Sequence, residues 1–260
     1  IGSYLNVENP LFTKLQAHNR EMVMGFATLV ENRDGSTGGH IRRTTTYVKL
    51  LAEELQKRGM YKEQLTQDYI ENLTIAAPMH DVGKIAIPDA ILQKPGRLTD
   101  EEFALIKKHP QFGFDLIRDL QINSRIKRTA LMHHERCDGS GYPSQLDSSL
   151  IDDFAMITAI ADVYDAMTAA RRYRAPLCPF AVISSFESEG FTKYNTKFLL
   201  LFLKKLATTY QSNRVMLNDS RFCNIVMLNP HELSRPIVRF DDGSILDLST
   251  NRAFFIKSVM

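Results

Sequence analysis

Cysteine is scarce and badly placed for structural use. Cys137, Cys178 and Cys223 are odd in number, far apart and without a Cys-x-x-Cys pair, which argues against a disulfide framework or a thiolate zinc site and fits a reducing cytoplasm. Long apolar runs are also missing: Phe198 to Leu203 falls far short of the roughly 18 to 20 residues needed to cross a bilayer, so no membrane span is expected. Charge of one sign is lacking too, since 32 Lys and Arg against 30 Asp and Glu leave +2. A polycationic surface that holds duplex nucleic acid by counterion release is therefore not expected. There is no basic segment leading into an apolar one at the start, and the chain opens on Ile1 instead of Met, so an upstream domain is expected to precede it. Internal repeats and low-complexity tracts are absent.

What remains is 260 residues, 44% hydrophobic and 24% charged, enough for one large domain with an appendage. Apolar residues recur every three or four positions through Leu11 to Leu29 and Tyr47 to Leu55, the spacing of amphipathic helices. Between them Asn32, Asp34, Gly35, Ser36, Thr37, Gly38 and Gly39 crowd a turn, with His40 at the mouth of the second helix. Leu73 to Met79 run into His80 and Asp81. Thr99 with Glu102 reads as a capping box opening a helix that carries Phe103, Ile106 and His109. Ile126 to His134 and Phe154 to Ala170 predict further helices, separated by a loop at Asp138 to Pro143. After Asn213 the texture changes to short β-prone runs, Arg214 to Leu217, Cys223 to Leu228 and Ile237 to Phe240, with Asp242-Gly243 as a hairpin turn signal. The predicted fold is mainly α, a helical bundle with a small β-rich C-terminal tail, divided into an N-terminal helical segment (1–30), a catalytic domain (31–210) and the appendage (211–260).

Of the seven histidines, His40, His80, His109, His133 and His134 fall in helical contexts shared with the carboxylates Asp81 and Asp162. Burying so many imidazoles and carboxylates costs several kcal/mol unless each is paired, and a pair of metal ions satisfies them together. Histidines dispersed over the surface are the plain alternative. Mixed nitrogen and oxygen ligands suit iron, manganese or zinc better than calcium or magnesium. Two such cations about 4 Å apart generate hydroxide from water and stabilise charge on a phosphoryl group.

The runs TGGHIRR (37–43), HDVGK (80–84), KKHPQFG (107–113), HHERCDGSGYP (133–143) and DVYDAMTAARRYR (162–174) resemble, in order, the motifs of the HD-GYP family of cyclic di-GMP phosphodiesterases, over about residues 30 to 210. The tail segment LNPHELSRPIVRF (228–240) also resembles an appendage of some members. The resemblance implies an HD-domain bundle that hydrolyses cyclic di-GMP to linear pGpG, GMP or both. It implies two transition-metal ions, iron with manganese or another divalent metal as substitute. His40, His80, Asp81 and Asp162 would hold one, and His109, His133 and His134 with bridging Asp81 the other. Lys84 would contact the scissile phosphate, and Gly141, Tyr142 and Pro143 would form a loop offering an aromatic face and a hydroxyl to the nucleotide. Asp165, Arg171 and Arg174, with Tyr173 beside them, would add substrate contacts. Glu135 is read either as orienting a ligand or as exposed. Two positions depart from the family pattern: Ser36 stands where many members carry a third-metal glutamate, and Arg172 replaces a proline. A non-hydrolytic cyclic-dinucleotide sensor and a nucleotidase of the wider HD superfamily are the competing readings. A homodimer through the N-terminal helix and an upstream sensor or receiver domain are the further expected partners.

Overall fold

The computed structural model describes residues 10–34, 38–60, 66–170 and 175–260. Helices occupy the chain up to residue 209: α1 (Pro10–Arg33), α2 (His40–Lys57), α3 (Gln67–Met79), a 3-10 turn (Val82–Ala86), α4 (Asp89–Leu92), α5 (Asp100–Ile106), α6 (His109–Ile117), α7 (Ser124–Met132), α8 (Asp153–Thr168), α9 (Pro179–Ser185), a π-helical turn (Phe186–Gly190) running into α10 (Phe191–Lys193), and α11 (Thr196–Thr209). Strands β1 (Arg214–Leu217), β2 (Phe222–Met227), β3 (Ile237–Phe240), β4 (Ile245–Asp247) and β5 (Ile256–Val259) follow. They form one antiparallel sheet in the order β4-β3-β2-β1-β5. Among the described residues no helix is long and apolar enough to cross a membrane.

The mainly α architecture with a β-rich tail is the one the periodicity predicts. On α2 the buried residues Ile41, Thr44, Val48, Leu51, Ala52 and Leu55 recur at helical spacing, so one stripe faces the core. Helix α8 differs: Phe154 to Ala161 are all buried without interruption, which makes it the central helix, packed by α2, α3, α7 and α11. The same apolar core continues into the sheet through Val215, Leu217, Cys223, Ile225, Val238 and Ile256. The tail is therefore seated on the bundle and shares its core.

The capping box is present, with Thr99 and Glu102 exchanging both hydrogen bonds. The helix it opens ends at Ile106, however, and His109 begins a new helix, α6, instead of riding on the first. Pro110 explains the break: without an N–H it interrupts the ladder of a continuing helix but is well suited to the first turn of a new one. The Asp242-Gly243 turn joins β3 to β4, with Gly243 at φ 86°, whereas β4 and β5 were not legible as strands. Gly83 in the 3-10 turn lies directly on α6. A Cβ there would stand 2.0 Å from the His109 carbonyl oxygen and 2.3 Å from Gly113 N, so only glycine lets the turn carrying Asp81 and Lys84 approach His109 this closely.

Glu187, in the π-helical turn, ties the sheet to the bundle by accepting from Leu233 N at 2.6 Å, Ser234 N at 3.3 Å and the Ser234 hydroxyl. Glu187→Ala leaves those donors without their acceptor, and should cost roughly 1 to 3 kcal/mol of stability. Denaturant unfolding should show a lower midpoint at unchanged slope; an unchanged midpoint would mean the clamp contributes nothing.

Candidate metal centre

The helix ends bring the predicted ligands together. His40 opens α2 after Gly39, which sits at φ 79°, and its backbone N–H donates at 2.6 Å to Glu31, a buried carboxylate of α1. His80 and Asp81 follow α3, His109 opens α6, His133 and His134 follow α7, and Asp162 projects from α8. Potential ligand atoms fall into two groups, each within 4.8 Å: Asp81 with His109, His133 and His134, and His40 with His80 and Asp162. Asp81 faces both. Its Oδ2 lies 3.2 Å from His80 Nε2, and its Oδ1 lies 3.2 Å from His109 Nε2 and 3.8 Å from His133 Nε2.

Four of the five imidazoles are oriented from behind. His109 Nδ1 faces Ile106 O at 2.8 Å, His133 Nδ1 faces Thr129 O and Ala130 O at 3.1 Å, and His80 Nδ1 is in close contact with Ala77 O. Those carbonyls accept an N–H, so Nδ1 carries the proton and Nε2 turns its lone pair inward, the arrangement found behind metal-bound histidines. His40 Nδ1 instead faces Asp165 Oδ2 at 2.8 Å. His134 is stacked on Tyr142, ring centroids 4.6 Å apart and 25° from parallel.

The donor set fits a divalent metal centre. His80 Nε2 is buried with no hydrogen-bond partner despite its nearness to Asp81, an orphan a cation would satisfy. Burial, reinforced by neighbouring imidazoles, holds His133 well below its ordinary pKa, and burial brings His134 down to about 3; both are neutral ligands at physiological pH. For Asp81 burial opposes ionisation, but Lys84 and His80 outweigh it and hold the carboxyl well below the usual range. Ionised carboxylates with neutral imidazoles are the protonation states metal binding requires; at His80 burial acts to lower the pKa but Asp81 and Asp162 prevail and raise it to about 9, so a cation bound there displaces a proton.

Lys84 Nζ lies 2.6 Å from Asp34 Oδ2 and 2.8 Å from Asp81 Oδ2. Burial alone would lower its pKa, but these two carboxylates raise it instead, so the ammonium stays charged beside the centre. In the loop, a Cβ on Gly141 would stand 2.4 Å from Arg136 N and 2.5 Å from Glu135 Cα; the loop therefore presses against the turn after His134, and Tyr142 N donates to His134 O at 3.3 Å. Glu135 is neither exposed nor oriented toward a ligand histidine. It is buried and accepts from Ser144 N at 2.7 Å and Leu146 N at 3.0 Å, pinning the chain just beyond Pro143.

Asp165, predicted as a substrate contact, is 1% exposed and engaged by protein partners: Arg43 Nε donates to Oδ1 at 2.6 Å, while Arg43 Nη2 at 3.1 Å and His40 share Oδ2. Arg171, Arg174, Tyr173, Arg172 and Ser36 lie outside the described residues. Sequence reading missed Arg43, Glu31 and Asp34. Only Arg43 carried a signal, falling one turn after His40 as Asp165 falls one turn after Asp162.

A family model described as HD domain matches residues 11–195. A "Cyclic di-GMP phosphodiesterase" of Vibrio cholerae is 43% identical over 188 residues, covering 67% of this chain and 38% of the relative. A "3'3'-cGAMP-specific phosphodiesterase 2" of the same organism is 40% identical over 168 residues, covering 64% of this chain and 31% of the relative. The chain thus spans well under half the length of these relatives. The solved structure of Bd1817, an HDG"Y"P protein from Bdellovibrio bacteriovorus, superposes with a TM-score of 0.53 at 18% identity, over 76% of this chain and 66% of that one, a likeness of fold. With its helical bundle, its His80-Asp81 pair and the matching model, the chain belongs to the HD-domain family.

Proposed function

We propose that the protein is a metal-dependent phosphodiesterase that hydrolyses cyclic di-GMP to linear pGpG, GMP or both, with two transition-metal ions, iron or manganese in its place. One observation carries the reading: the two oxygens of Asp81 face two separate groups of inward-turned imidazoles. When bound, such ions polarise a phosphoryl oxygen and lower the pKa of water. The protein's own contribution is positional and electrostatic. Lys84 supplies a fixed positive charge beside the bridging carboxylate, aimed at negative charge developing on phosphorus oxygens. The loop of Gly141, Tyr142 and Pro143 offers the nucleotide the side of the Tyr142 ring not covered by His134, and Arg171 and Arg174 are the proposed further phosphate contacts.

The similarity to the cGAMP-specific relative supports a second reading in which 3'3'-cGAMP is also cleaved, and parallel kinetics on both dinucleotides separate the two. The cytoplasm is the proposed location, with a sensor or receiver domain as covalent neighbour. The exposed, seven-residue-spaced Leu15, Met22 and Leu29 on α1 support pairing with a second copy, which sedentary monomers in light scattering would refute.

Protein purified anaerobically without chelator should contain two transition-metal ions per chain by elemental analysis; one or none would sink the two-ion reading. Asp81→Asn should lose metal and turnover together, because a neutral amide bridges cations poorly. Lys84→Ala should keep its metal and lose roughly 10²- to 10³-fold in kcat, the scale for removing one transition-state donor; full turnover would exclude the role assigned to it. Tyr142→Ala should weaken cyclic di-GMP binding by roughly 1 to 3 kcal/mol, as for a lost stacking partner, while hydrolysis of bis(p-nitrophenyl) phosphate suffers less. Equal losses on both substrates would place Tyr142 in support of His134 alone.

A further inference from the structure

His40 differs from the other inward-facing histidines in what stands behind it. His80, His109 and His133 present Nδ1 to neutral backbone carbonyls, whereas His40 presents it to the carboxylate of Asp165 at 2.8 Å. A buried carboxylate persists in charged form only where it is paired and hydrogen-bonded. Arg43 meets that need with a two-pronged grip, Nε on Oδ1 at 2.6 Å and Nη2 on Oδ2 at 3.1 Å, while its Nη1 donates to Gly38 O at 3.1 Å. The Thr44 hydroxyl lies 3.3 Å from the same His40 nitrogen, a longer and neutral contact.

The geometry points to Arg43 and Asp165 as positioning residues that fix the ring and tautomer of His40, and so set selectively the affinity for the ion held by His40, His80 and Asp162. The selectivity follows from the layout. Asp165 touches only His40 among the metal-ligating side chains, and the group of His109, His133 and His134 is oriented by other atoms. An anionic partner behind an imidazole makes it a better donor than a carbonyl does, and removal of such a partner typically weakens metal affinity roughly 10- to 100-fold. The inference rests on the two-ion reading and adds that the two sites are unequal in a way that the Arg43–Asp165 pair behind His40 controls.

Calorimetric titration of the metal-stripped protein with Mn²⁺ tests it without reference to turnover. Wild type should take up two ions. Asp165→Asn should keep one at its original affinity and bind the other roughly 10- to 100-fold more weakly. Arg43→Ala, a change at a partly exposed side chain, should produce the same selective loss, and Arg43→Lys, which restores the charge without the two-pronged geometry, should recover part of it. His40→Ala identifies the affected site, since adding Asp165→Asn to it should change nothing more. Wild-type affinity for both ions in Asp165→Asn and Arg43→Ala, or equal weakening of both sites in folded protein, would overturn the assignment. A wild-type stoichiometry of one would overturn the two-ion reading and the selectivity with it.

Discussion

A carboxylate that must be shared organises this molecule. Asp81 is 8% exposed and stands among His80, His109, His133 and Lys84. A buried charge of that kind is tolerated only where opposite charge or good donors surround it. The helices meet at this point with their ends, and the packing around Gly83 allows the meeting to be so close.

Helix ends are a physically economical place for such a cluster. The last carbonyls of a helix have no partner inside it, and here several accept the Nδ1 proton of a histidine: Ala77 at the end of α3, Ile106 at the end of α5, Thr129 and Ala130 at the end of α7. At Ile106, whose partner four residues on is Pro110 with no N–H, one contact supplies the missing donor and aims an imidazole; Thr129 O and Ala77 O also accept the backbone N–H of His133 and His80. Asp162 comes instead from the middle of α8, whose residues Phe154 to Ala161 are all buried, so the one member of the cluster lacking a helix end is held by the central helix of the core. Asp165 lies one turn further along the same face and reaches the back of His40.

The clustering of His40, His80, Asp81, His109, His133, His134 and Asp162 was legible, and Lys84 and the Gly-Tyr-Pro loop were singled out, because a family resemblance is carried by short local runs such as HDVGK and HHERCDGSGYP. The helical bundle was legible from periodicity, and Thr99 with Glu102 from a four-residue pattern. What was not legible depends on partners distant in sequence. Glu135 is defined by backbone N–H groups nine and eleven positions away, and Asp165 by Arg43 across 122; nothing in either neighbourhood announces the pairing. Glu31 likewise caps a helix it does not belong to. The β4 and β5 strands were missed for a different reason: they are short and mostly exposed or half-buried, so they lack the alternation that marks a strand facing a core.

The loop and the metal centre are one mechanical unit. Glu135 directly follows His134 and fastens the segment after Pro143, Gly141 removes the side chain that would hold the two stretches apart, and Tyr142 lies flat on the His134 ring. His134, with no carbonyl or carboxylate behind its ring among the described residues, takes its orientation from this stack. A nucleotide that displaced Tyr142 would therefore disturb a metal ligand, whereas one that used only the outer side of the ring would leave it undisturbed. The geometry favours the second arrangement, because the inner face is already committed to His134 and the backbone on both sides of the tyrosine is fixed. On the function proposed above, Tyr142 would serve the nucleotide with one face and support His134 with the other.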